Sequence, residues 1–216
     1  MNVQLTWVTP NAEELIVKMA RVSAPRNQDN MDTAPRLLRY LIKHKHWSPF
    51  EMANMCVEIE TTRAISPQIL RHRSFSFQEF SQRYASATEM GGIILPHLRS
   101  QDYKNRQNSN DDLKERLGGE KLASFYRRMS TILEDSKHLY NEMVSEGVAK
   151  ESARFVLPLA TPTRLYMNGT LRSWIHYLQL RCDPSTQLEH REIAETIKRI
   201  FCKEFPIIGE TAFAED

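Results

Sequence analysis

Cysteine is scarce in this chain. Cys56, Cys182 and Cys202 are the three in 216 residues, too few and too widely spaced for a disulfide framework or a zinc site. A reducing cytosolic compartment and no bound metal are therefore expected. Glycine is sparse too, at 7, and the pairs Gly91-Gly92 and Gly118-Gly119 lack the spacing and context of a dinucleotide-binding fingerprint. Any nucleotide must be gripped by side chains. No apolar run approaches the length that spans a bilayer, and the opening Met1-Asn2-Val3-Gln4-Leu5-Thr6-Trp7 lacks the basic and apolar regions of a signal peptide. A soluble cytoplasmic protein with no membrane partner is expected. Neither sign of charge dominates: 29 basic against 27 acidic side chains leave a net +2, too small an excess for broad nucleic-acid binding.

With no internal repeat and no linker between two apolar-rich halves, residues 1–216 are expected to form one domain. Val3–Val8 reads as an opening strand. Asn11 and Glu14 predict a helix start, with Leu15, Met19 and Val22 on its inner face. A second helix after Thr33 carries Leu37, Leu38, Leu41 and Ile42. Asn54–Thr61 alternates, with Met55, Val57 and Ile59 on one side, as a half-buried strand does. Ser66-Pro67 predicts an N-cap and a short helix over Gln68–His72. Gly91–His97 reads as a strand and the polar Ser100–Asp111 as a mobile loop. A long helix follows Gly118-Gly119, with Leu122, Phe125, Met129, Ile132, Leu139 and Met143 at helical period and Gly147 ending it. A further helix from Lys150 stops before Pro158. Leu171, Trp174, Ile175 and Leu178 mark another, and Asp183-Pro184 is expected to cap the last long helix, with Ile193, Ile197, Ile200 and Phe201 inward. This is an α/β (α+β) pattern.

The densest chemistry lies in Arg71-His72-Arg73-Ser74-Phe75-Ser76-Phe77-Gln78-Glu79-Phe80-Ser81-Gln82-Arg83-Tyr84. Arg71, Arg73 and Arg83 are permanent cations whose planar forks match phosphate oxygens. Glu79 in so cationic a stretch either pairs with an arginine or accepts from ligand hydroxyls. A solvated salt-bridge cluster is the plain alternative. Ser81 has no base beside it in sequence to make it a nucleophile, so substrate binding is the better reading. Arg172 and His176 lie four apart and share a helix face.

Arg71-His72-Arg73, seven residues and Ser81 resemble the signature motif of the flavin-dependent thymidylate synthases, and the likeness continues through Gln78-Glu79, Arg83 and Tyr84. His46-Trp47-Ser48-Pro49-Phe50-Glu51, Arg154-Phe155-Val156-Leu157-Pro158 and Thr170–Arg181 are similar to further blocks of that family in the same order. The resemblance implies a small, mostly antiparallel sheet packed with several long helices. It implies FAD as cofactor, NADPH and methylenetetrahydrofolate as co-substrates, deoxyuridylate (dUMP) as substrate, and a homotetramer with shared active sites.

Residue by residue, it implies cofactor contacts from Ser48, Arg71, His72, Arg73, Glu79, Thr170, Arg172 and His176. Substrate contacts are implied for Gln68, Arg71, Glu79, Ser81, Arg83, Arg154 and Arg181. His46 and Tyr84 are implied at the flavin face where folate enters. Arg181 is the implied catalytic group, stabilising negative charge that develops on the uracil. No cysteine has a recognisable nucleophile setting. Two rivals stand beside this reading: a flavoprotein reductase without methyl transfer, and an RNA-binding module that stacks bases on the phenylalanines of residues 75–80.

Overall fold

The computed structural model describes residues 1–92 and 94–214. The chain runs through β1 (Asn2–Val8), α1 (Ala12–Ala20), α2 (Ala34–Lys43), β2 (Asn54–Thr62), α3 (Ser66–Ile69) and β3 (Ser76–Glu79). There follow β4 (Ser100–Gln101), β5 (Ser109–Asn110), α4 (Leu113–Leu117), α5 (Gly119–Ser145) and α6 (Lys150–Ala153). It ends with β6 (Pro162–Thr170), α7 (Leu171–Arg181), α8 (Leu188–Glu204) and α9 (Pro206–Ala212). Four strands form one sheet in the order β1-β2-β6-β3, with every neighbour antiparallel.

Period-two alternation puts Met55, Val57 and Ile59 of β2 and Leu165 and Met167 of β6 on one face, all with no exposure. The registers Val57↔Met167↔Phe77 and Ile59↔Leu165↔Glu79 extend those rows to β3. A carboxylate therefore stands in an apolar row. Helices α1, α2, α7, α8 and α9 cover this face through Ile16, Leu38, Trp174, Leu178, Ile197 and Ile208. Trp174 is fully buried and its indole N–H donates to the Met55 carbonyl at 2.9 Å, so its polar atom is satisfied. A smaller cluster of Ala87, Tyr140 and Ala153 holds α5 and α6.

Gly169 is fixed by packing. A Cβ there would meet Phe75 Cδ1 at 2.4 Å, so only glycine lets the Phe75 ring cross β6 where the segment of residues 71–84 leaves α3.

Several expectations are corrected. The buried side of α1 is Ala12, Ile16 and Val17, while Met19 and Val22 are exposed, and Asn11 makes no side-chain cap. Ser66 does not cap α3; that helix begins at Ser66, two residues earlier than the expected Gln68 start, and ends at Ile69 rather than His72. Gly91–His97 contains no strand among its described residues, Ile93 lying outside them. Ser100–Asp111 holds the β4-β5 hairpin, whose turn is organised by Asp102 Oδ1 accepting from the backbone N–H groups of Lys104 and Asn105 at 2.8 and 3.1 Å. Ile132 and Leu139 of α5 are exposed, and Leu133 and Tyr140 are its buried residues. Helix α8 starts at Leu188 after a turn at Asp183, and α9 follows it. Among the described residues, no helix is long and apolar enough to cross a membrane.

Candidate functional site

The segment of residues 71–84 leaves α3, turns at Arg71–Ser74 and pairs as β3 with the far side of β6. Its phenylalanines point inward: Phe75 is buried against Trp174 and Tyr177, and Phe77 and Phe80 are half-buried. Those rings are not presented for base stacking, which removes the feature that favoured the RNA-binding alternative. The polar side chains remain outside. Arg71 and Arg73 are exposed and have no acidic partner among the described residues. Arg83 pairs with Glu151 at 3.1 Å, both exposed, a contact worth little in water.

Glu79 is held by three donors on one oxygen. Its Oε1 accepts from Arg63 Nη1 at 2.5 Å, Ser66 Oγ at 2.6 Å and Thr163 Oγ1 at 2.9 Å. This explains how a carboxylate survives in an apolar row, since a charge leaving water needs pairing and hydrogen bonds. The Oε2 atom has no hydrogen-bond partner among the described residues.

The second half of the site is built on α7. β6 runs straight into that helix, with Thr170 as N-cap accepting from the Ser173 backbone N–H at 3.2 Å. Ser173 Oγ donates to the Ser74 carbonyl at 3.4 Å, tying the helix start to the Arg71–Ser74 turn. One turn apart, Arg172 and His176 face a cleft of about 440 Å³ that also touches Trp47, Glu51, Ser74, Ile175 and Gln179. Arg172 is paired with Glu51, which ends the short turn Ser48–Glu51, so the block containing Ser48 is brought against α7.

Arg181, in the last turn of α7 where a cation suits the helix dipole, donates from Nε to His72 Nε2 at 2.9 Å. The acceptor must be a neutral imidazole with its proton on Nδ1. Burial, then the positive charge of Arg181, then His176 push His72 down from the ordinary 6.5 to about 4, so it is neutral at physiological pH. The two terminal nitrogens of Arg181 have no hydrogen-bond partner among the described residues.

The remaining implied residues fall elsewhere on the surface. Gln68 bonds to Gln187 at 2.7 Å. Ser81 Oγ accepts from the Arg83 backbone at 3.4 Å, and Tyr84, 84% exposed, is tied through its carbonyl to Lys150 on α6. Arg154 begins the turn after that helix. Ser81, Arg83, Tyr84 and Arg154 thus border α6, whereas Ser48, Thr170, Arg172, His176 and, through Ser74, the Arg71–Arg73 turn border α7. Among the described residues no hydrogen bond or ion pair joins the two groups directly. His46 is exposed and meets Tyr40 edge-on and His44 at a tilt in a ring cluster, outside the lining of the 440 Å³ cleft.

Some participants were not visible to sequence reasoning. Arg63 is three residues before Ser66 and carries no local signal of pairing with Glu79. Tyr177 and His190, buried behind His72, could have been found: His190 is three residues before Ile193 and seven before Ile197, on the inward face of α8. A larger cleft of about 600 Å³ lies among Ile65, Ile94, Leu133, Leu159 and Leu188. Its lining is chiefly apolar, so the cleft with Arg172 and His176 is the better match to an anionic ligand. All three thiols are pushed up by burial, Cys182 beside Arg181 included, which leaves each further from a reactive thiolate.

Residues 4–207 match the family described as "Thymidylate synthase complementing protein". A probable flavin-dependent thymidylate synthase of Paramecium bursaria Chlorella virus 1 is 52% identical over 200 residues, covering 92% of this chain and 89% of that protein. The flavin-dependent thymidylate synthase of Synechocystis is 53% identical over 197 residues, covering 91% and 87%. Among solved structures, a UMP/dUMP methylase, PolB from Streptomyces cacaoi, bound with 5-Br dUMP superposes with a TM-score of 0.81 at 26% identity, over 97% of this chain and 93% of that one.

Proposed function

This chain belongs to the flavin-dependent thymidylate synthase family, and from that premise we propose that, as one domain, it makes thymidylate by moving the one-carbon unit of methylenetetrahydrofolate to C5 of deoxyuridylate. The observation that carries the reading is Arg181: a guanidinium whose Nε is committed to a neutral His72 while its terminal nitrogens have no partner among the described residues. C5 of a pyrimidine is a weak nucleophile until charge developing near N3 and C4 is stabilised, and a fixed guanidinium does this without surrendering a proton. With three thiols pushed away from the thiolate, activation by this cation is favoured over attack by a cysteine.

The residues present fit FAD. Arg71 and Arg73, with no acid partner among the described residues, suit its pyrophosphate, while Arg172, His176 and Ser48 suit the rest of the molecule beside a cleft that also has Trp47 and Ile175 in its wall. Thr170 supports this group by capping the helix that carries it. Bound FAD, reduced by NADPH, supplies the electrons that complete the methyl group. Glu79, with Oε1 saturated, offers Oε2 to ribose or flavin donors. Gln68, Ser81, Arg83 and Arg154 bind the nucleotide, and His46 and Tyr84 flank the folate entry. Among the described residues no hydrogen bond or ion pair joins the α6-side group to the α7-side group within one chain, which fits active sites shared between subunits of a homotetramer. Binding deoxyuridylate and folate in place of a polyanion also suits the near-balanced charge.

The purified wild-type protein is expected to carry the visible absorbance of oxidised flavin or to gain it on adding FAD, and Arg172→Ala to bind FAD about ten- to a hundredfold more weakly, the typical loss of a charge-assisted contact. A wild-type protein that neither carries nor takes up FAD in equilibrium dialysis overturns the reading.

A further inference from the structure

Behind Arg181 lies a buried polar pair that the reading above leaves unused. Tyr177 on α7 and His190 on α8 are both fully buried, and the Tyr177 hydroxyl is 3.0 Å from His190 Nε2. The Tyr177 ring meets His72 edge-on with centroids 4.8 Å apart, and the His190 ring lies 6.3 Å from His72. Phe75 and Trp174 also pack edge-on against Tyr177. The contacts form a chain from α8 to the guanidinium: His190 fixes Tyr177, Tyr177 walls His72, and His72 accepts from Arg181.

Packing alone does not call for this pair. Apolar side chains of similar volume would fill the space, and His190 Nδ1 is buried with no hydrogen-bond partner among the described residues, which is unfavourable for any polar atom. Retaining an unsatisfied imidazole in a core asks for an explanation beyond stability. The explanation the contacts offer is orientation, because a loosened His72 ring would release Arg181 Nε and let the guanidinium turn.

We propose that Tyr177 and His190 are positioning residues: they hold the His72 ring so that Nε2 accepts from Arg181, which leaves the two terminal nitrogens of the guanidinium free for the pyrimidine. The inference rests on the reading of Arg181 given above. The charged or titratable groups facing His72 among the described residues are Arg181, His176 and Tyr177 from α7 and His190 from α8, and burial keeps both His72 and His190 neutral.

The test uses the FAD-loaded full-length protein in four forms: Tyr177→Phe, His190→Leu, the double variant, and His190→Gln, whose amide can replace Nε2 as the partner of the Tyr177 hydroxyl. For Tyr177→Phe, kcat for thymidylate formation per bound flavin is expected to fall about tenfold, with KM for deoxyuridylate changed far less, as loss of an interaction that matters in the transition state requires. His190→Leu falls similarly, the double variant falls no further because the two act as one unit, and His190→Gln recovers most of the rate. The melting temperature of the double variant holds or rises, whereas each single variant, which leaves its partner's buried polar atom without a hydrogen bond, melts lower; loss of rate without loss of stability in the double variant separates positioning from a merely structural role. NMR of the His72 ring gives a readout independent of turnover: its titration moves from about 4 toward 6.5 in Tyr177→Phe and His190→Leu as the loosened ring meets water. Wild-type kcat together with an unmoved His72 titration in folded Tyr177→Phe and His190→Leu overturns the proposal. A wild-type enzyme that makes no thymidylate overturns the functional reading and leaves the His72 titration to decide the positioning claim by itself.

Discussion

Arg181→Lys is expected to lose thymidylate formation by about a hundredfold or more, the scale seen when a preorganised donor to developing negative charge is removed. Lysine keeps the charge but not the planar fork, and it has no Nε–H to commit to His72 while leaving two further nitrogens free. Flavin reduction does not need an activated pyrimidine. The variant should therefore hold FAD and oxidise NADPH with oxygen at close to the wild-type rate. Both activities are measured in one preparation, with deoxyuridylate affinity followed separately. Unchanged thymidylate formation would remove Arg181 from the mechanism, and parallel loss of flavin and of both activities would make it a structural residue.

Glu79→Ala is expected to damage stability as well as ligand binding. It leaves the Arg63 guanidinium half-buried without its carboxylate and strips an acceptor from Ser66 and Thr163. Removing one partner of a largely buried, hydrogen-bonded charge pair costs about 2–4 kcal/mol, or a melting temperature lower by roughly 4–16 °C for a chain of this size. Glu79→Gln separates the two roles. It keeps an acceptor oxygen for the three donors, so it should recover part of the stability while deoxyuridylate and FAD binding stay weak. Loss of stability with full ligand affinity in Glu79→Gln would confine Glu79 to the fold.

Elements with a clean period were legible in the sequence. β2 alternates because one face meets helices and the other is partly exposed, and α7 repeats Leu171, Trp174, Ile175 and Leu178 because that stripe enters the core. β6 was not, although it is a central strand: its inward positions include Thr163 and Gly169, whose contribution lies in a hydrogen bond to Glu79 and in space for Phe75. Only the paired partner reveals such reasons. The face of α1 was misjudged since Leu15, Ile16, Val17, Met19 and Ala20 form a nearly continuous apolar run, and periodicity cannot choose among its stripes. Gly91–His97 looked like a strand from Ile94 and Leu95 with Ile93, but no neighbouring strand is there to pair with its described residues.

For the site, the residue types were readable and their partners were not. The cationic motif announces an anionic ligand, yet nothing local assigns Arg63 to Glu79 or His72 to Arg181, residues 16 and 109 positions apart. Those contacts depend on β3 docking on β6 and on α7 returning across the motif.

The central claim is that this chain couples oxidation of NADPH to methylation of deoxyuridylate, and it is tested most directly by an anaerobic reaction of wild-type protein with FAD, NADPH, methylenetetrahydrofolate and deoxyuridylate, with thymidylate and NADPH quantified together. The account predicts thymidylate formed in proportion to NADPH consumed, and none when either folate or deoxyuridylate is left out. NADPH consumed with no thymidylate formed would contradict it and leave a flavoprotein reductase.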